Sequence, residues 1–302
     1  MKRWVKGLGY ATGALVVIVV LAGAGVYGFS ESRLRRAVEV TPAPLTIPTD
    51  AVSLARGEHL VRSVGGCVGC HGENLAGGTV VEDAVFARVY ARNLTRGKGG
   101  VGDSLNDADF VRAIRHGRAP DGRALKIMPS GDYAHFSDSD LAAVIAYVKS
   151  VPAVDRTTPA MSVGPIGRTL LVAGKLPLLP AEELTRDPVH PSAGTPGRTV
   201  EYGNYLASIG CKGCHGLALA GGPIAAGPPD WPPAANLTPA GNLKSWTEEN
   251  FKQLLRTGKR PNGAPVNEAM PWPVMGRMTD DELHAIWMYL TSLPATQTAN
   301  AK

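Results

Sequence analysis

The four cysteines of this 302-residue chain all fall in two copies of one pattern, Cys67-Val68-Gly69-Cys70-His71 and Cys211-Lys212-Gly213-Cys214-His215. Two cysteines separated by two residues and followed directly by histidine form an attachment site for c-type haem. The spacing on a helical turn sets both sulfurs against the vinyl-derived positions of the macrocycle, to which they bond as thioethers. The histidine then lies beneath the iron as proximal ligand. A zinc site or a redox Cys-x-x-Cys pair would leave the adjacent histidine in both copies unexplained. Neither would account for the lack of any further cysteine.

The opposite axial position needs a second donor. Met128 and Met270 occupy the same place in the two halves of the chain, and each is followed by proline. Proline fixes its own φ and biases the preceding residue to extended geometry, which suits a loop presenting a thioether sulfur. Met275 and Met278 are the rivals for the second site, and Met288 reads as core. His116 and His135 have no histidine counterpart in the second half, and read as surface or supporting residues. Histidine–methionine ligation would fill both axial positions, favouring electron transfer over the binding of small substrates.

The elements that position these residues emerge from an internal repeat. His71 is followed by Leu75-Ala-Gly-Gly78, Asn93-Leu-Thr95, Phe110, Gly117, Pro120-Asp-Gly122, Met128-Pro129 and Pro152. His215 is followed by Leu219-Ala-Gly-Gly222, Asn236-Leu-Thr238, Phe251, Gly258, Pro261-Asn-Gly263, Met270-Pro271 and Pro294. His to Met is 57 residues in one copy and 55 in the other, and Met to the closing proline is 24 in both. Each copy predicts a short helix before its cysteines, over 52–64 and 199–209. Each also predicts a closing amphipathic helix, the second opened by the capping box Thr279…Glu282 and both stopped by proline. The paired Asn-Leu-Thr triplets point to a role in holding the loop near the haem. Trp231, Trp246, Trp272 and Tyr133 carry donors for haem propionates, with core packing as the equal alternative.

Charge locates the remainder. Residues 1–50 carry six Lys/Arg against three Asp/Glu, whereas residues 51–152 carry 12 against 11 and residues 199–294 carry 7 against 8. The haem regions are near neutral, which excludes the basic face of a nucleic-acid binder. Lys2, Arg3 and Lys6 precede an uncharged run from Gly7 to Ser30, long enough to span a bilayer. An uncleaved anchor is the first expectation; a cleaved signal, with Ala22-Gly-Ala24 as its site, is the second. Haem attachment follows export, so the N-terminus is expected in the cytoplasm and the haem regions on the periplasmic side of a bacterial cytoplasmic membrane.

With these motifs in place, the chain resembles class I c-type cytochromes. More narrowly it is similar to the membrane-bound multihaem cytochrome subunits of alcohol and gluconate dehydrogenases. The features carrying this are the Cys-x-x-Cys-His-Gly motif, the Asn-Leu-Thr triplet, the Phe-x6-Gly segment, the Met-Pro loop and the closing helix with Tyr147 or Tyr289. Those subunits usually carry three haem domains, whereas this chain has two. The resemblance implies a mainly α fold with two tandem class I cytochrome c domains after an N-terminal transmembrane helix. The expected layout is 1–36 anchor with flanks, 37–50 extended tether, 51–152 first domain, 153–198 linker, 199–294 second domain and 295–302 disordered tail. Within the linker, the apolar stretch 166–176 predicts a short helix packed on a domain, with membrane contact as the weaker alternative.

The function expected is a membrane-anchored dihaem carrier and not an enzyme. It would hold two covalent haems c and exchange electrons with a dehydrogenase subunit, an oxidase or a soluble cytochrome. The competing reading is a dihaem redox enzyme, peroxidase-like or a sulfur-compound oxidase, with one labile axial ligand.

Overall fold

The computed structural model describes residues 2–182, 184, 195–224 and 231–298; parts of the expected linker and tail lie outside these. A long first helix, α1 (Lys2–Arg35), leads into residues without regular structure. The first repeat holds α2 (Ala51–Arg62), α3 (Cys67–His71), β1 (Gly78–Asp83), β2 (Ala87–Ala91), α4 (Asp107–His116), α5 (Ser130–Tyr133) and α6 (Asp138–Ser150). β3 (Ser162–Val163) and α7 (Pro165–Val172) follow. The second repeat holds α8 (Val200–Gly210), α9 (Lys212–His215), α10 (Glu248–Thr257), α11 (Trp272–Met275) and α12 (Asp280–Ser292).

The helix boundaries have local causes. Ser137 and Thr279 accept hydrogen bonds from Asp140 N and Glu282 N, satisfying donors that the first turns of α6 and α12 leave open. α4 and α10 each start with a capping box, Asn106/Asp109 and Thr247/Asn250. They end on glycines in the left-handed region, Gly117 (φ 62°) and Gly258 (φ 67°), where a side chain would be strained.

In each repeat the helix before the cysteines crosses the closing helix at a glycine. A Cβ on Gly57 would collide with Ala143 O, and one on Gly203 with Ala285 O, so both crossings are close backbone approaches. Leu60, Leu141 and Ile145 in one repeat, and Leu206 and Leu283 in the other, are completely buried. Each such side chain contributes about 1.5–3 kcal/mol. The two repeats share one continuous apolar core.

Polar contacts tie the repeats together. Arg56 makes a bidentate pair with Asp140 (2.9 and 2.8 Å) and reaches Glu282 at 3.3 Å. Tyr205 donates to Asp140 across the interface at 2.7 Å. Arg277 pairs with Glu73 at 2.6 Å.

Two features depart from the sequence reading. The resemblance implies a mainly α fold, to which β1, β2 and β3 add a small antiparallel sheet, with Val81 opposite Val89 and Ala87 opposite Val163. The segment 37–50, expected as a free tether, lies against the first repeat. Val38 N donates to Gly122 O at 3.0 Å, Arg112 Nε to Val40 O at 3.0 Å, and Leu45 and Ile47 pack on the core. Its three prolines stop it from forming a helix, and its alternate apolar residues give it a surface to bury.

Candidate functional site

In the first repeat Cys67, Cys70 and His71 sit on α3, which opens from Gly66 in the left-handed region (φ 61°). They line one cavity together with Met128 and Pro129. The remaining walls are mostly apolar: Leu94, Leu105, Phe110, Val144 and Val148 from the helical side, and Val80, Val89 and Met161 from the sheet. Two cations, Arg92 and Lys126, also reach the lining. An apolar chamber with a histidine, a methionine and two thiols on its walls fits a haem macrocycle, and the two cations suit its carboxylates.

The histidines are oriented by the backbone. His71 Nδ1 lies 2.8 Å from Arg92 O, and His215 Nδ1 lies 2.7 Å from Ala235 O. A carbonyl only accepts, so Nδ1 carries the proton in each ring and Nε2 keeps its lone pair for a metal. The accepting carbonyl belongs to the residue just before the Asn-Leu-Thr triplet in both copies, a role the sequence reading did not assign. Burial holds both imidazoles below the ordinary histidine range, partly offset by those backbone hydrogen bonds. In the thiol form, burial pushes Cys67 and Cys211 up to about 12.

The triplets act as clasps. Asn93 Nδ2 donates to Val154 O (2.8 Å) and its Oδ1 accepts from Thr95 N (2.9 Å). Asn236 Nδ2 donates to Thr296 O (2.8 Å) and its Oδ1 accepts from Thr238 N (2.8 Å). In both copies the loop beside the histidine is thereby tied to the chain just past the closing helix.

The Met-Pro segments share one geometry. Ser130 N donates to Met128 O at 2.8 Å and Trp272 N to Met270 O at 2.7 Å, around prolines at φ −80°, ψ 59° and φ −78°, ψ 48°. These are inverse γ-turns, for which the proline ring presets φ. Met275 and Met278, the rivals of Met270, are buried in the core, whereas Met270 is only partly covered. Tyr133 lines the first cavity, and its hydroxyl donates to Gly65 O at 2.6 Å. Trp272 lies against Gly258, and Trp231 is 40% exposed. His116 is buried at the end of α4 rather than on the surface.

The two sites adjoin. Gly69 of the first motif and Gly66 just before it face Val274 and Met275 of α11, and Gly213 of the second motif faces the Asp132 carboxylate of α5. Each cysteine-bearing turn thus packs on the short helix following the other repeat's Met-Pro turn. Burial pushes the Asp132 carboxyl up to about 6.

Comparison with known proteins agrees with this architecture. Residues 200–294 match the family described as cytochrome c, and residues 52–148 match cytochrome c oxidase, cbb3-type, subunit III. The chain is therefore a mainly helical protein with two cytochrome c domains, and two covalent haems c follow from that pair. Among its relatives is the cytochrome c subunit of the quinone alcohol dehydrogenase of Gluconacetobacter polyoxogenes, 29% identical over 82% of this chain and 58% of that protein. The gluconate 2-dehydrogenase cytochrome c subunit of Pantoea cypripedii is 30% identical over 80% and 59%. A diheme cytochrome c-type protein of Cereibacter sphaeroides is 26% identical over 95% of this chain and 98% of its own length. The chain thus spans less than two thirds of the dehydrogenase subunits to which it is related.

Proposed function

We propose that this protein is a membrane-anchored dihaem electron carrier. It would relay electrons between a dehydrogenase, or the quinone pool, and a terminal acceptor outside the cytoplasm. Cys67 and Cys70 would hold the first haem, with His71 and Met128 as axial ligands. Cys211 and Cys214 would hold the second, with His215 and Met270. Bound haem supplies an iron that alternates between Fe(II) and Fe(III).

The chain's own residues do the rest. Arg92 O and Ala235 O fix the imidazole tautomers, the inverse γ-turns set the methionines, and the apolar walls exclude water from the first site. The observation that carries the reading is the repetition of both axial devices, the tied histidine and the Met-Pro turn, in both domains. A histidine and a methionine holding each iron would suit relay and would leave no place for a substrate. The dehydrogenase relatives support a quinone-linked dehydrogenase as partner. The 34-residue helix α1, whose most apolar 18-residue stretch has a mean hydropathy of 2.1, supports the anchor.

The test is ligand access in the purified holoprotein. Wild type should not take up carbon monoxide when reduced. Met128→Ala and Met270→Ala should each keep both haems attached and gain one carbon monoxide-binding iron. Uptake by wild type would favour the enzyme with a labile ligand, and unchanged spectra in a variant would remove that methionine as a ligand.

A further inference from the structure

α1 leaves its apolar side chains uncovered, with Leu8, Val17 and Leu21 all more than half exposed. Trp4 and Tyr27 bracket the run about 35 Å apart, at roughly 1.5 Å per residue. That is close to a hydrocarbon thickness of about 30 Å with an aromatic residue at each face. Tyr27 therefore marks the outer interface.

The linker grips the helix at this level. The Arg168 guanidinium lies 4.1 Å from the Tyr27 ring centroid and donates to Ser30 Oγ and Glu31 Oε2, both at 2.8 Å. One turn further on, Arg33 donates to Leu171 O at 2.6 Å. Position 168 thus meets 27–31 and position 171 meets 33, so α7 runs in the same direction as α1. Its first turn, Pro165-Ile166, points back toward the membrane span.

The β1–β2 turn travels with it. Ile166 N donates to Val85 O at 3.1 Å and Gly164 N to Phe86 O at 2.9 Å, while Gly164 and Gly167 admit this contact only because they lack a Cβ. The turn's own amides are satisfied, since Asp83 Oδ1 accepts from Val85 N and Phe86 N, both at 2.8 Å. Between α1 and α8, the large apolar side chains exposed among the described residues are Val52, Val85 and Ile166. The last two adjoin each other beside the span, with exposures of 49% and 52%. Scattered exposed apolar residues need no explanation, but a pair continuous with a lipid-facing helix has a ready occupant.

We infer that the β1–β2 turn and the start of α7 form an apolar foot. Through it the first haem domain rests at the headgroup–acyl boundary of the membrane that α1 crosses. The inference builds on the reading of α1 as an uncleaved anchor. It has a structural consequence, because Val80, Val89 and Met161 belong both to the small core under this foot and to the lining of the first haem cavity. The foot, the anchor and the first haem site form one packed unit, which fixes the height of that site above the bilayer.

The test uses the full-length holoprotein in nanodiscs of phosphatidylcholine and phosphatidylglycerol. The four native cysteines are thioethers there, so an introduced cysteine is the one free thiol. Val85→Cys, Ile166→Cys, Ile18→Cys and Val52→Cys are treated with a charged maleimide and followed by intact mass. Thiols in an apolar environment form little thiolate, so positions 85 and 166 should react about tenfold more slowly than position 52. Both are half exposed in the protein itself, so such slowing requires a cover from outside. Rates at 85 and 166 equal to that at 52, with position 18 still protected, would overturn the foot and leave the anchor standing. Reaction at position 18 as fast as at 52 would overturn the anchor reading itself.

Discussion

His59 Nε2 on α2 lies 2.7 Å from Glu282 Oε2 on α12, bridging the two haem domains. The pair is half of an approximate two-fold exchange. Aligned on Gly57 and Gly203, Arg56 corresponds to Tyr202 and His59 to Tyr205, while Asp140 corresponds to Glu282. Arg56 and Tyr202 bind the acid of their own domain, at 2.8 and 3.3 Å. His59 and Tyr205 bind the acid of the other, both at 2.7 Å. Both acids are the third residues of their helices. The Glu282 carboxylate accepts from Thr279 N at 2.8 Å, so one carboxylate closes a helix end and joins the domains. At Asp140 the Tyr205 hydroxyl accepts from Ser137 N instead, at 3.2 Å.

Removing Glu282 should therefore loosen both. It is 5% exposed, and Glu282→Ala leaves His59, the Tyr202 hydroxyl and Thr279 N without their acceptor and Arg56 with Asp140 alone, at a cost of about 3–5 kcal/mol. Glu282→Gln keeps the shape and should cost about 1–3 kcal/mol. Burial raises this carboxyl, but the His59 hydrogen bond and charge, the Thr279 amide and Arg56 together outweigh it and hold it below the ordinary range. A depressed folded value contributes stability above the unfolded value of about 4.3, which is lost as pH falls through the folded one. Urea unfolding of wild type and Glu282→Gln should show the gap widest near neutrality and closing in acid. A gap independent of pH would mean that the charge contributes nothing.

Gly57→Ala and Gly203→Ala should be similarly damaging. In each the new methyl meets a backbone carbonyl, Ala143 O or Ala285 O, which cannot swing aside as a side chain would. The two crossing helices would have to separate, at a cost of at least about 1–3 kcal/mol each. Thermal unfolding followed by far-UV circular dichroism checks this; a tolerated alanine at either site would show that crossing to be looser than described.

The triplet asparagines should differ from each other. Asn93 is completely buried and holds Val154 O and Arg156 O, whereas Asn236 is partly exposed and holds Thr296 O and Thr298 Oγ1. Asn93→Ala leaves the buried Thr95 N without its acceptor and should cost about 2–3 kcal/mol, while water can replace the Asn236 amide for about 1 kcal/mol. Equal losses in the two variants would contradict the difference in burial.

The repeat made much of this legible in advance. Cys-x-x-Cys-His, the Met-Pro pairs and the capping residues are local signals, and they predicted the cysteine-bearing turns and the closing helices within a residue or two. The histidine tautomers were not legible, because Arg92 O and Ala235 O are backbone atoms and any residue type supplies them. The sheet escaped notice because its strands are five, six and two residues long and one comes from the linker. The exchange of His59 and Tyr205 between domains was also hidden. Unlike residues occupy equivalent positions there, so the repeat could not flag them.

The contact between Gly213 and Asp132 makes the two motifs unequal although their sequences look alike. A Cβ on Gly69 would meet Val274 Cγ2 at 4.0 Å, an ordinary contact, whereas one on Gly213 would overlap the Asp132 carboxylate. Gly69→Ala should therefore be near neutral. Gly213→Ala should cost about 1–3 kcal/mol, because Asp132 is short and the turn carrying it is fixed by the preceding Met-Pro segment. Asp132→Ala in the same chain removes the obstacle, so the double variant should recover most of the loss. A coupling energy of about 1 kcal/mol or more, read from thermal unfolding of the four proteins, would establish the contact. Strictly additive losses would instead place the penalty within the motif itself, in how Cys211 and Cys214 meet the haem, and not at the boundary between the domains.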